Sequence, residues 1–164
     1  MIQNQDLKPG NWISKKSPGS LLETRKIIEI DEDGVTIEDD KDYTLIQVDN
    51  KWEYNLMPQK RLLGLEEIKG IPLTIAILED CGFEIKGEII SMQQLKMEDP
   101  AKPYAVKDSF ILNYKPGPPD KFSHTASNSN IEFVHQLQNI YASYMNRELE
   151  ITIDPYNYQL LSLL

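Results

Sequence analysis

Cysteine is almost missing from this chain. Cys81 stands alone among 164 residues, so no intramolecular disulfide can form. A reducing compartment, the cytoplasm, is the expectation. Long apolar runs are missing too, and none approaches the roughly 20 residues that cross a bilayer. The polar stretch Met1 to Gly10 lacks the basic and apolar regions of a signal peptide, so a soluble protein without a membrane partner is expected. Positive charge is scarce: 17 Lys and Arg stand against 26 Asp and Glu, for a formal net charge of −9. Nucleic-acid binders displace counterions from phosphates with clustered cations. Here the densest basic points, Lys15-Lys16, Arg25-Lys26 and Lys60-Arg61, each have acidic residues close by. Nucleic acid is therefore not the expected partner, and only a local basic patch would admit it.

Several motifs are also absent. There is no Gly-rich phosphate loop, no nucleophile elbow and no HExxH zinc signature. Neither metal nor cofactor is expected. What remains is an ordinary globular balance, 40% hydrophobic and 26% charged. The length suits one domain or two small modules.

The first third reads as short strands. Asn11-Trp12-Ile13 follows a Pro9-Gly10 turn, and Ile28 and Ile30 alternate with polar neighbours. Asp33-Gly34 supplies hairpin chemistry before Val35 and Ile37. A polar break over Glu38 to Asp42 precedes Tyr43 to Val48, and Asp49-Asn50-Lys51 turns the chain into Trp52-Glu53-Tyr54. This spacing predicts a small SH3-like β-barrel or curled sheet over residues 1–66. Leu56 to Pro72 reads as a connector.

Residues 67–164 read as an α+β module, an antiparallel sheet packed with one short and one long helix. Thr74 caps Ile75 to Cys81, and Gly82 stops it in the left-handed conformation. Phe83–Leu95 and Tyr104–Tyr114 are strand candidates, joined through Met97–Pro103. Lys115–Asn128, rich in Pro and Ser, is a binding loop or a loosely held one. A long helix spans about 130–146, with Phe133, Leu137, Ile140 and Tyr144 on one stripe and Val134 and Tyr141 beside them. Ser129 and Glu132 have capping-box spacing. Leu149–Ile153 reads as a strand, and Asp154-Pro155 as the start of a last short helix.

Each candidate site competes with a plain structural role. Cys81 sits at a helix C-terminus beside Asp80, where the field disfavours a thiolate, so it reads as a packed thiol and not a nucleophile. Glu29, Asp31, Asp33, Gly34 and Asp40 mimic part of a calcium loop, but their flanks read as strands, which favours a solvated turn. His124 and His135 lack neighbouring ligands at metal spacing. His135, Gln138 and Asn139, with Gln136, form either a polar contact surface or a helix face packed through hydrogen bonds. Trp12, Trp52, Tyr43 and Tyr54 concentrate aromatics in the first module, where they fill a small core or line a peptide groove.

Three stretches together resemble a family of small uncharacterised proteins of Bacteroidetes bacteria linked to prophages or conjugative elements. They are Leu7 to Ile13, Ile71-Pro72-Leu73-Thr74 through Cys81-Gly82-Phe83, and Val134-His135-Gln136-Leu137-Gln138-Asn139 through Glu148-Leu149-Glu150-Ile151. The resemblance implies a mobile-element origin and carries no catalytic residue.

Three functional readings follow, in order. The first is a non-enzymatic protein-interaction or structural module, with Trp12, Trp52, Tyr54, His135, Gln138 and Asn139 as its contact surface. The second is a nucleic-acid-associated protein docking through a basic barrel edge. The third is an enzyme using carboxylates assembled from distant segments. The uncharged tail Pro155–Leu164, with four leucines and two tyrosines, is expected to dock on its own core or on a second copy as a homodimer.

Overall fold

The computed structural model describes residues 6–16, 22–48, 51–96, 106–151 and 153. The chain is α+β, with two antiparallel sheets in two units, Met1–Gly70 and Ile71–Leu164. In the first unit β1 (Trp12–Lys16), β2 (Leu22–Ile30), β3 (Val35–Val48) and β4 (Lys51–Leu63) form a meander. After a 3-10 turn at Leu65–Glu67, β5 (Ile68–Lys69) returns to β1, giving the order β4-β3-β2-β1-β5. That return places the unit boundary after residue 70 and not at 66. Among the described residues the ladders leave this sheet open, so no closed barrel is formed.

The Asp33-Gly34 hairpin forms where the residue types demand it. The Asp31 carboxylate accepts from the amides of Asp33 and Gly34, both at 2.9 Å, and so closes the turn from inside. A Cβ on Gly34 would collide with the Leu63 carbonyl of the neighbouring ladder. Two sequence expectations fail in this region. Glu38–Asp42 is no break, because β3 runs through it with a register shift between Glu38 and Lys41. Leu56–Leu63 is no connector, because β4 continues as an edge strand, with Pro58 opposite Lys41 where a missing amide donor is tolerated. One face of the sheet buries Ile13, Ile27, Val35, Ile37, Leu63 and Ile68 together with Leu7.

The second unit opens with α1 (Ile75–Asp80), capped by the Thr74 hydroxyl, which accepts from the Ile77 amide at 3.3 Å. Gly82, at φ +85°, ends it as the sequence requires. Then β6 (Glu84–Lys86), β7 (Ile89–Lys96), β8 (Val106–Lys115), β9 (Lys121–His124) and β10 (Ser129–Ile131) pair in chain order. Phe83–Leu95 is thus a hairpin and not one strand, turning at Gly87, φ +62°. The Lys115–Asn128 loop contains β9, whose Phe122 and His124 alternate inward.

α2 (Val134–Met145) packs on β8 and β10. It starts later than residue 130 because Ser129–Ile131 is claimed by β9. Ser129 therefore caps nothing; the Gln136 side-chain oxygen instead accepts from the amides of Glu132 at 2.8 Å and Phe133 at 3.2 Å. The buried stripe is Val134, Leu137, Tyr141 and Met145, whereas Tyr144 is 54% exposed. Leu73 N–H donates to Glu132 and Val134 N–H to Ile71, both at 2.9 Å, so two of the three family-like stretches meet at the helix entry. Leu149, Ile151 and Ile153 are buried, but they join no ladder among the described residues. Residues 97–105 and the tail from Asp154 onward, with the helix and homodimer contact expected there, lie outside the described residues.

Candidate functional site

Strand pairing in the second unit draws distant residues into one row. Ile89 on β7 pairs with Asn113 on β8, Asn113 with Ser123 on β9, and Ser123 with Asn130 on β10. Alternation places this row on the face opposite Phe110, Leu112 and Phe122, which are buried. The next same-face pair along β8 and β9 is Lys115 opposite Lys121. An open groove of about 730 Å³ follows these positions, with Glu88 at its β7 corner. Ile89, which is 53% exposed, supplies its apolar part together with Tyr114 and Phe122.

Beside that apolar part the groove carries hydrogen-bonding and charged side chains. Asn113 and Asn130 each offer an amide donor pair and a carbonyl acceptor, and Ser123 offers a hydroxyl. Among the described residues the side chains of Asn113, Ser123, Asn130, Lys115 and Lys121 enter no hydrogen bond or ion pair. Contacts around Tyr114 and Asp120 tie β8 to β9 beneath them. Tyr114 stacks on Phe122 with ring centres 5.4 Å apart, and its hydroxyl donates to Asp120 at 3.2 Å. The same Asp120 oxygen accepts from the Gly117 amide at 3.2 Å and holds the loop between β8 and β9.

On the opposite face His124 is packed, not poised. Its ring stacks on Phe110 at 4.6 Å and meets Tyr144 edge-on at 4.9 Å. Nδ1 lies 2.9 Å from the Ser127 hydroxyl and accepts from the Ser127 amide at 3.3 Å, which fits the neutral ring protonated at Nε2. Burial holds its pKa below the usual histidine value. This Ser–His pair is the local cap of the β9–β10 turn. Cys81 is equally quiet: burial, with Asp80 beside it, pushes the thiol up to about 11.

The residues singled out from the sequence are dispersed. His135 is 2% exposed and stacks on Phe133, and Gln138 is 8% exposed. Asn139 is half-buried, so this face of α2 is interior and not an open surface. Trp12 lies half-buried on β1, whereas Trp52 and Tyr54 lie on β4 in register with Gln47 and Leu45. Two strands separate β1 from β4, so the ladders do not bring Trp12 to the other two. In the first unit Lys15 and Arg25 converge on Glu23, at 3.8 and 2.9 Å, which neutralises part of a basic edge there. Among the described residues no three His, Cys, Asp or Glu side chains gather as a metal-holding group. No helix there is long and apolar enough to cross a membrane.

The groove residues escaped the sequence reading because no local motif joins them. Only Lys115, Lys121, Phe122 and Ser123 lie in the segment Lys115–Asn128 that the sequence marks as a binding loop or a loosely held one. No protein-family profile, curated protein or solved structure matches the chain.

Proposed function

We propose that the protein is a non-enzymatic protein-interaction module and that the outer groove of the second sheet is its contact surface. One observation carries this reading: the row Asn113–Ser123–Asn130 presents side-chain donors and acceptors that satisfy nothing within the described residues, on three paired strands of one sheet. Sites built on strands hold such groups more precisely than loops do. The first unit is read as an SH3-like curled sheet, supported by the meander and by the short last strand returning to β1 after a 3-10 turn. A mobile-element origin, as the family resemblance implies, and a cytoplasmic setting belong to the same reading.

Affinity capture from the native host tests it. Wild-type protein should retain a partner that the Asn113→Ala/Asn130→Ala variant releases, with the variant's circular dichroism unchanged. Capture that is indifferent to both substitutions refutes the groove.

A further inference from the structure

We infer that Lys115 and Lys121 form the carboxylate-reading end of this groove, so that its occupant is an extended peptide bearing acidic side chains. The inference rests on the reading of the groove as the contact surface. Like charges placed directly opposite in an antiparallel pair repel each other. Here two lysines face one another across β8 and β9 in a chain with 26 acidic residues, yet neither is paired with one among the described residues. Asp120 is their nearest acidic neighbour in sequence, and one of its oxygens already serves Tyr114 and Gly117. Two ammonium groups on adjacent strands match the two oxygens of a carboxylate, which accepts charge-assisted hydrogen bonds from both.

The rest of the groove sets the ligand class. Asn113, Ser123 and Asn130 can pair with the N–H and C=O groups of an extended backbone, which carries both. Glu88 at the β7 corner repels a second acid there and so gives the peptide a direction. A nucleic acid fits less well. It needs a run of cations, and the net charge of −9 opposes a polyanion at long range. It also needs aromatic faces for its bases, and of the two lining rings Phe122 is buried and Tyr114, half-buried, has one face taken by Phe122.

The test is selection of random short peptides displayed on phage against the full-length chain and against its Lys115→Gln/Lys121→Gln variant. Both positions are exposed, so the variant should keep its circular dichroism. The expected result is enrichment of Asp and Glu on the wild type and none on the variant. A selected acidic peptide should lose affinity about ten-fold for each lysine replaced, as one charge-assisted hydrogen bond is removed. Acidic peptides that bind the double variant equally well overturn the inference. Peptides selected without acidic bias, yet lost on Asn113→Ala, also overturn it while leaving the groove as contact surface. Selection of no peptide, or lysine-dependent binding of a single-stranded oligonucleotide in preference to peptides, overturns it as well.

Discussion

Replacing Phe110 perturbs the ring cluster inside the second unit. Phe110 is fully buried on β8, and its ring lies 4.6 Å from His124, 5.0 Å from Tyr141 and 6.1 Å from both Phe83 and Tyr144. Phe110→Ala removes the ring and leaves a cavity, at a cost of about 3–5 kcal/mol. Phe110→Leu keeps most of the volume and forfeits mainly the ring pairs. The two closest contribute roughly 0.5–1.5 kcal/mol each, so the loss is about 1–3 kcal/mol. Hydrogen exchange of the α2 amides reads the difference on the full chain. If those amides exchange through opening of the unit, the alanine variant should accelerate them by about a hundred-fold to a few thousand-fold, at about 1.4 kcal/mol per ten-fold. The leucine variant should accelerate them by about five-fold to a hundred-fold, and less than the alanine variant. An alanine variant within ten-fold of wild type, or a leucine variant as severe as the alanine one, would refute the picture of Phe110 as the centre of that ring cluster.

Three further outcomes are expected. Gly34→Ala drives a methyl group into the Leu63 carbonyl and should destabilise the first unit by about 1–3 kcal/mol or more, seen in tryptophan fluorescence because Trp12 and Trp52 both lie there; an unchanged denaturant midpoint counts against the close approach. His124 has a lowered pKa in the folded state, so the unfolded chain takes up its proton first as pH falls through about 6.5; stability should drop from there toward pH 5, with no His124 contribution above that range, and His124→Asn should flatten that slope. A wild type whose melting temperature is level from pH 7 to pH 5 contradicts it. Lys121→Glu converts the facing lysines into an opposite-charge pair and should stabilise the fold by roughly 0.2–1 kcal/mol, whereas a loss of stability would show that the two lysines do not repel.

What could be read from the sequence was what is decided locally. Thr74, Gly82 and Asp33-Gly34 act on amides a few residues away, so their cap, stop and turn were visible without the fold. What depends on pairing was hidden. Glu38 to Asp42 looks like a break because it is charged throughout, yet a register shift keeps it in β3. Ser129 and Glu132 have the spacing of a cap, but β9 takes Ser129 and Gln136 does the capping. Phe122 and His124 alternate inward inside a segment whose prolines and serines suggest a loop. The groove is the extreme case: Ile89, Asn113, Ser123 and Asn130 become neighbours only through three ladders.

That row is also where the account is most exposed. A photo-reactive amino acid placed at Asn113, in the full-length protein within its native host, reports directly on what covers the groove. The same probe at Glu79, exposed on α1, serves as control. The account predicts a discrete protein adduct from position 113 after illumination and none from position 79. Adducts of equal yield from both positions, or none from 113 while a partner is still captured, would contradict it.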